Sequence, residues 1–214
     1  MSGPEEAALR RELVSRARRL APDGLGRGTS GNLSARAGDR IYLTPSGIPY
    51  EELEPEAISV LDLAGRPLEG RAPSSEAALH LRLYARRPEV GAVVHTHSHF
   101  ATVFAVLRRP IEPVHYLLAF GGRRIRVAPY ACPGSERLAD QAAETLGSDR
   151  CVLLANHGLL AVGPTLARAY ATALYVEEVA ALAYHAQALG EPVVLTDAEL
   201  AEVEALLGSY GSGS

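Results

Sequence analysis

The chain has 214 residues, the size of one ordinary domain or two small ones, and 47% of them are hydrophobic. Its formal net charge of −4 excludes the strong basic imbalance of a protein that binds nucleic acid or an anionic membrane. All 21 basic residues are arginines, so catalysis through a lysine Schiff base is excluded as well.

The sequence carries no sign of a membrane segment or a secretion signal. No apolar run approaches the roughly 18 residues that a membrane-spanning helix needs, and residues 1–6 are acidic and lack a signal-peptide core. The two cysteines, Cys132 and Cys151, form no C-x-x-C pattern. We therefore expect a cytoplasmic protein with reduced cysteines and with neither a membrane nor a nucleic-acid partner.

The first half of the chain mixes helical and strand patterns. Apolar residues of the N-terminal segment recur at helical spacing, and a glycine-rich loop separates this segment from short alternating stretches with Gly, Pro and Asp turns between them. Two serines then open a second helix. The predicted elements are a helix from Pro4 to about residue 21, strands at residues 33–37, 40–44 and 58–62, a helix at 74–87 and a buried strand at 90–97.

The second half of the chain contains the longest helical pattern and a predicted strand pair. The two strands of this pair are joined by a tight connection, Asn156-His157-Gly158. The predicted elements are a helix from residue 98 or 99 to 107, a strand at 123–128, a helix at 135–146, strands at 151–154 and 159–162, and helices at 164–190 and 197–207.

This order of elements is not a repeated strand–helix–strand series. No linker separates two cores, and no internal repeat is present. We therefore interpret residues 1–214 as a single α/β domain, with helices packed on both sides of a largely antiparallel sheet. The low-complexity tail after about residue 207 is expected to be mobile.

The strongest chemical signal is His95-Thr96-His97, at the end of the predicted strand 90–97. Alternate residues of a strand share a face, so the two imidazoles project together about 7 Å apart along the backbone. Two imidazoles on one face form half of a metal site, although two histidines bonded separately in a polar cleft would give the same pattern. His99 is predicted to begin the next helix and to be structural.

Two further residues complete a possible ligand set. His157 lies in the predicted tight turn, where Gly158 permits a positive φ angle and a close approach. Glu76 lies in the first turn of a predicted helix. Taken singly, His157 reads as a turn histidine facing solvent and Glu76 as a carboxylate favoured by the helix dipole. Together with His95 and His97, they give the composition of a zinc-type site.

Three short segments could bind an anion. They are glycine-flanked or begin a helix, and they carry hydroxyl and amide donors. None follows a nucleotide-binding pattern, and each alone reads as an ordinary turn or cap. Their link to the metal is that Ser75 directly precedes Glu76, which would hold a phosphate close to the metal. The segments are residues 28–32, residues 44–47 and the Ser74-Ser75 pair.

These residues stand in motifs that resemble those of the class II aldolase/adducin family, and above all its L-fuculose-1-phosphate aldolases. The motifs occur in the family's order over about residues 5 to 207. The resemblance implies an α/β/α sandwich and a fourfold ring tetramer. The motifs are Gly28-Thr29-Ser30-Gly31-Asn32-Leu33-Ser34, Thr44-Pro45-Ser46-Gly47, Ser74-Ser75-Glu76, His95-Thr96-His97, His115-Tyr116 with Gly121-Gly122, and Ala155-Asn156-His157-Gly158.

The resemblance also implies a role for each site residue. His95, His97 and His157 would bind one Zn²⁺ per subunit. Glu76 would be the fourth ligand and the proton-shuttling base. Tyr116 matches the tyrosine that the family's fuculose-phosphate aldolases insert from a neighbouring subunit as the acid. The remaining substrate contacts would be Thr29, Gly31, Asn32, Ser46, Gly47, Ser74 and Ser75 at the phosphate, and Tyr210 at the position of those enzymes' mobile C-terminal tyrosine.

The implied activity is reversible cleavage of a phosphorylated ketose, of the L-fuculose-1-phosphate type, to dihydroxyacetone phosphate and an aldehyde through a metal-stabilised enediolate. The absence of lysine independently leaves only a metal route for aldol chemistry. A sugar-phosphate 4-epimerase or a methylthioribulose-1-phosphate dehydratase of the same family would share these residues. A metal-binding module without chemistry also stays open. A non-catalytic adducin-like scaffold fits poorly because all three histidines and Glu76 are present.

Overall fold

The computed structural model describes residues 3–209, which form six α-helices and eight strands. Three short 3-10 helices lie at Tyr50–Glu52, Pro55–Ala57 and Tyr116–Phe120. The helices are α1 Gly3–Arg19, α2 Ala77–Arg86, α3 His99–Leu107, α4 Glu136–Leu146, α5 Leu166–Leu189 and α6 Asp197–Ser209. The strands are β1 Asn32–Ala37, β2 Arg40–Leu43, β3 Ser59–Asp62, β4 Pro67–Glu69, β5 Ala92–Thr96, β6 Val127–Ala128, β7 Cys151–Leu154 and β8 Gly158–Gly163.

All of these strands belong to one sheet, in the order β4-β3-β2-β1-β5-β8-β7-β6. The β6–β7 pair is parallel, and the other paired strands are antiparallel. Strand β5 lies between β1 and β8, and every one of its residues is buried. The predicted largely antiparallel sheet is therefore confirmed, with the histidine-bearing strand near its centre.

Helices cover both faces of the sheet because its strands are apolar on both sides. Along β5, Ala92 and Val94 pack into a core with α1, α3 and α5. Val93, between them, packs into a second core with α2 and α4. Since successive strand residues point to opposite faces, these two cores lie on opposite sides of the sheet. The predicted α/β/α sandwich is confirmed.

Three local predictions differ from the structure. Strand β4 was not predicted, because its residues are all exposed and show no apolar alternation. The predicted strand at residues 123–128 is reduced to Val127–Ala128, since Ile125 instead forms an isolated bridge with Ile111. Residues 116–120, to which no helix or strand was assigned from the sequence, form a 3-10 helix that begins with a half-exposed tyrosine.

The turn before β8 also differs in detail from its prediction. Glycine at position 158 would permit a positive φ angle, but the residue of this turn with a positive φ is Asn156, at 56°. Gly158 is required for the other predicted reason, a close approach, because a Cβ at this position would overlap the carbonyl oxygen of Thr96. This contact presses the turn that carries His157 against the end of β5.

The C-terminal helices agree with their predictions. The longest helix, α5, has 24 residues and packs against the core that contains α1 and α3. Neither α5 nor any other helix within residues 3–209 combines the length and apolar character needed to cross a membrane. Helix α6 begins at Asp197 as predicted. The predicted mobile tail and Tyr210 fall outside the described residues.

Candidate metal centre

Four side chains from three separate parts of the chain converge at one end of β5. His95 lies within the strand, His97 directly follows it, His157 lies in the turn before β8, and Glu76 immediately precedes α2. Their metal-ligating atoms all lie within 4.8 Å of one another. The structure therefore brings together the four residues that the sequence predicted as metal ligands.

The three imidazoles are arranged as ligands of one ion. Their ring centroids are 4.9, 4.8 and 4.9 Å apart, with steep interplanar angles of 71°, 77° and 82°. The Nε2 atoms of His95 and His97 are 3.0 Å apart. Tetrahedral zinc with Zn–N distances of about 2.0–2.1 Å would separate two ligand nitrogens by about 3.3 Å. The rings thus stand close to the spacing that a tetrahedral metal requires.

The protonation of these rings favours metal binding. The Nδ1 of His95 donates to the carbonyl oxygen of Leu159 at 3.0 Å, which leaves the Nε2 lone pair for a metal. Burial lowers the pKa of both His97 and His157 to about 4. Those two imidazoles are therefore neutral at neutral pH, the form that coordinates metals.

Glu76 is a buried carboxylate with two unequal oxygens. Oε2 accepts a hydrogen bond from Nδ2 of Asn32 at 2.9 Å and lies 3.2 Å from Nε2 of His95. Oε1 lies 3.3 Å from Nε2 of His157 and accepts no hydrogen bond within the described residues. Burial alone would raise the pKa of Glu76, but its contacts with His95 and with the Asn32 amide hold the pKa below its usual value.

These observations fit a divalent transition metal. A buried carboxylate oxygen without a donor is costly unless a cation partners it, and three imidazole nitrogens and this carboxylate form a set of the type that zinc takes in proteins. His99 is exposed at the first residue of α3 and is not part of the cluster, as the sequence predicted.

The loops predicted to bind phosphate border this centre. Gly31, with φ 83°, lies so close to β5 that a Cβ would be 2.8 Å from the carbonyl oxygen of His95. Ser46 donates its backbone N–H to Ala72 at 3.0 Å, which brings the loop of Ser46 and Gly47 beside the segment before α2. The exposed residues of the predicted set are Thr29, Ser46, Gly47 and Ser75; Ser74 is half-buried, and Gly31 and Asn32 are buried.

Tyr116 is not part of the metal cluster of its own chain. It begins the 3-10 helix Tyr116–Phe120, and half of its surface is exposed. The preceding His115 caps this helix by accepting a hydrogen bond from the backbone N–H of Leu117 at 3.4 Å. The aromatic ring is thus held on the outside of the subunit.

The sequence interpretation missed His80. Its Nε2 lies 2.5 Å from Oδ1 of Asn32, the residue that binds Glu76. The signal was present, because His80 follows Glu76 by four residues and such residues share a helix face. The prediction would also have required knowing which side of α2 packs on the sheet, and a single sequence does not reveal this.

A three-histidine, one-glutamate centre on an α/β/α sandwich defines a metal-dependent enzyme of the class II aldolase type. The sequence profile of the Class II Aldolase and Adducin N-terminal domain matches residues 11–184. The chain belongs to the class II aldolase/adducin family. The prediction of a metal-dependent aldolase, which is a lyase, is therefore confirmed at the level of the family.

Several relatives are similar over nearly their whole length. A 5-methylthioribulose-1-phosphate/5-deoxyribulose-1-phosphate aldolase of Rhodospirillum rubrum is 41% identical over 97% of this chain and 94% of its own. The L-fuculose phosphate aldolase of Escherichia coli K12 is 38% identical, over 97% of each chain. The solved structure of an L-fuculose 1-phosphate aldolase superposes with a TM-score of 0.92 at 38% identity, covering 97% of this chain and 98% of that one.

The geometry of the centre predicts how metal content responds to mutation. His95→Ala removes a buried ligand, so we expect its metal content to fall from about one divalent ion per chain to a small fraction of that. Elemental analysis after gel filtration measures this content. His99→Ala, which removes an exposed imidazole only four residues away, serves as the matched control and should retain the metal. Equal metal content in both variants would contradict the assignment of the centre.

Proposed function

We propose that this chain is a zinc-dependent aldolase that reversibly cleaves a phosphorylated ketose to dihydroxyacetone phosphate and an aldehyde. The observation that carries the proposal is the Glu76 carboxylate, which has one oxygen fixed by Asn32 and the other facing the imidazoles without a hydrogen bond. Such a carboxylate is suited both to complete a metal site and to move a proton beside it. The relatives named above support the same activity.

The reaction needs two proton transfers, on opposite sides of the bond that breaks. In the cleavage direction the C3–C4 bond of the ketose breaks, its electron pair stays with C3, and C4 becomes the aldehyde carbonyl as its hydroxyl loses a proton. The metal held by His95, His97 and His157 supplies a Lewis acid that offsets the charge developing on the ketose oxygens. In the addition direction the ionised Glu76 removes a proton from C3 of dihydroxyacetone phosphate, and in cleavage Glu76, once protonated from solvent, returns a proton to C3.

The second proton transfer belongs to a different group, because Glu76 lies on the metal side. In addition, the phenol of Tyr116 from a neighbouring subunit gives its proton to the aldehyde oxygen, and in cleavage its phenolate takes the proton of the C4 hydroxyl. Proton exchange with solvent then restores Tyr116 and Glu76 to their starting forms. Its exposure at the start of a capped 3-10 helix supports this role, since it leaves the phenol available to another chain. The same role implies a closed ring, and the predicted fourfold tetramer remains a proposal.

The phosphate of the substrate binds beside α2 in this proposal. Ser75 is exposed directly before Glu76, and Ser46 and Gly47 lie on the adjoining loop. Hydroxyl and backbone N–H donors at a helix N-terminus stabilise an anion. The predicted contacts Thr29, Gly31 and Ser74 lie at the same end of the sheet, whereas the buried side-chain amide of Asn32 bonds Glu76 and His80 instead. The phosphate is therefore expected on the side of Glu76 away from the sheet.

Two kinds of ketose phosphate satisfy this arrangement. L-Fuculose 1-phosphate, the substrate type predicted from the sequence, releases an aldehyde with a hydroxyl group next to the carbonyl. A 5-deoxy- or 5-methylthioribulose 1-phosphate releases an aldehyde without one. Both share the dihydroxyacetone phosphate half, so the residues around the metal and phosphate serve either. The cytoplasmic location predicted from the sequence also stays a prediction.

A substrate panel tests the activity. The metal-loaded protein should release dihydroxyacetone phosphate from at least one of these three ketose phosphates, measured with a coupled dehydrogenase assay. The preferred substrate should exceed the others by about tenfold or more in kcat/KM if the site binds the hydroxyl of the aldehyde. Consumption of the ketose phosphate without dihydroxyacetone phosphate would indicate an epimerase or a dehydratase instead.

Glu76→Gln separates proton transfer from binding. The variant keeps the shape of the side chain and its contact with Asn32, but it cannot accept a proton. We expect the exchange of solvent hydrogen into dihydroxyacetone phosphate, followed by NMR in D₂O, to slow by about 100- to 10,000-fold. The comparison is made at matched metal occupancy. An exchange rate equal to that of the wild type would remove Glu76 from the role of base.

The phosphate site predicts a selective loss of affinity. Ser75→Ala removes a hydroxyl donor to a charged group, which should raise KM for the ketose phosphate by about tenfold or more. Ser148→Ala is the matched control, because this exposed serine follows α4 at the end of the helix far from Ser75. Steady-state kinetics with the phosphorylated and unphosphorylated ketose measure the difference. Equal weakening for both sugars would assign Ser75 a structural role.

Mixed oligomers test whether the site is shared between chains. Glu76→Gln and Tyr116→Phe homo-oligomers should each be nearly inactive. In randomly mixed rings, roughly a quarter of the sites would pair an intact Glu76 with an intact Tyr116 of the neighbour, so activity should return in proportion. Native mass spectrometry confirms the mixing. Mixed rings as inactive as their parents would place both residues in one chain or remove Tyr116 from catalysis.

A further inference from the structure

A chain of buried polar side chains extends from Glu76 into the space between α2 and β1. Helix α2 contributes His80 and Tyr84, which follow Glu76 at intervals of four residues and so lie on one face of the helix. Strand β1 contributes Asn32 and Ser34, which alternate with core residues and so lie on the face toward α2. Beyond Glu76, all four are buried, and His80 and Ser34 have no exposed surface.

The hydrogen bonds connect these residues in one line. Nδ2 of Asn32 contacts Oε2 of Glu76 at 2.9 Å, and Oδ1 of Asn32 contacts Nε2 of His80 at 2.5 Å. Nδ1 of His80 then contacts Oγ of Ser34 at 2.6 Å, and that oxygen contacts the hydroxyl of Tyr84 at 2.8 Å. Both the nitrogen and the oxygen of the Asn32 amide, and both ring nitrogens of His80, therefore have a hydrogen-bond partner.

The direction of every hydrogen bond follows from the carboxylate. An ionised carboxylate only accepts, so the amide nitrogen of Asn32 must face Glu76 and its oxygen must face His80. His80 therefore donates from Nε2, which leaves Nδ1 to accept from Ser34, whose oxygen accepts from Tyr84. Burial lowers the pKa of His80 to about 3. The ring is thus neutral at neutral pH, as this single-direction arrangement requires.

We propose that His80, supported by Ser34 and Tyr84, is a positioning residue that fixes the Asn32 amide and through it the Glu76 carboxylate. This inference rests on the proposed function, in which Glu76 is both metal ligand and base. With His80 in place, the amide oxygen of Asn32 has its donor and cannot turn toward the carboxylate. Oε2 of Glu76 is then held, and Oε1 is directed to the imidazoles.

Loss of the His80 donor has a specific consequence. The buried Asn32 oxygen would be left without a hydrogen bond, which is unfavourable, and the amide would no longer be fixed in the orientation that donates to Glu76. Rotation places that oxygen against the Glu76 carboxylate, where the two acceptors repel each other. We therefore expect the position of Glu76 to become heterogeneous, whereas the three imidazoles keep their places.

The test compares four variants. His80→Leu removes the ring donor at similar volume, and His80→Gln restores an N–H at about the position of Nε2. Tyr84→Phe removes only the last hydroxyl of the line. Tyr170→Phe is the matched control, because it removes the hydroxyl of another buried tyrosine, which bonds Asp23 at 2.9 Å on the other face of the sheet. Zinc affinity by competition with a chromophoric chelator, thermal midpoint and steady-state kinetics are measured for each.

We expect His80→Leu to weaken zinc affinity by about 10- to 100-fold and to lower kcat by a similar factor, with little change in KM for the ketose phosphate. His80→Gln should recover most of both losses, and Tyr84→Phe should show a smaller loss of the same kind. Tyr170→Phe should lower the thermal midpoint without changing zinc affinity.

The inference would be overturned if His80→Leu lowered only the thermal midpoint, as the Tyr170→Phe control does, and bound zinc like the wild type. A loss confined to KM would also contradict it, because that would assign the line of side chains to the phosphate. If His80→Leu does not fold, the same measurements on His80→Gln and Tyr84→Phe test the inference. A wild-type protein that binds zinc but cleaves no ketose phosphate would refute the proposed function alone, since the zinc affinities would still test the positioning of Glu76.

Discussion

The site depends on keeping one ionised carboxylate, Glu76, buried among three imidazoles. A buried charge is tolerated only where partners replace the water it has lost. One oxygen of Glu76 is bonded by the amide of Asn32, and nitrogens of His95 and His157 lie within 3.3 Å of the carboxylate, where a shared metal ion would complete its partners. Removing one partner of a buried pair typically costs about 3–5 kcal/mol. The fold must therefore deliver all of these groups together, or the site would be unstable as well as inactive.

The sheet delivers them by placing β5 between β1 and β8. In this register His95 stands opposite Asn32 on one side and Leu160 on the other. His157 enters from the turn before β8, and the close packing of Gly158 against Thr96 fixes that turn. Ligands carried on paired strands are held more rigidly than ligands on loops. His95 lies within β5, and His97 and His157 directly adjoin the ends of β5 and β8, whereas Glu76 precedes α2 and is the ligand that the line of side chains through His80 holds.

The sequence predicts those features that depend on periodicity or on a short motif. The period of two places His95 and His97 on one face, and the helical patterns locate every long helix. Prediction from the sequence fails where a feature depends on packing between distant segments. Strand β4 has no apolar face, and the contact of His80 with Asn32 arises only because α2 lies on β1. Residues 116–120 are apolar enough for a strand, but their fold depends on the capping by His115.

The two oxygens of Glu76 explain how one carboxylate can serve two purposes. Oε2 is held by Asn32, so the side chain cannot drift when Oε1 gives up its place beside the imidazoles. In the proposed mechanism, Glu76 therefore accepts and releases its proton while the side chain keeps its position. This lowers the free-energy cost of reorganisation during the reaction. In the proposed mechanism, the acid on the other side of the bond meets the opposite requirement, because it reaches a substrate bound in another subunit. A half-exposed Tyr116 on a short capped helix meets this requirement. In the proposed mechanism, the metal-side proton carrier is thus anchored inside the fold, and the aldehyde-side proton carrier is displayed outside it.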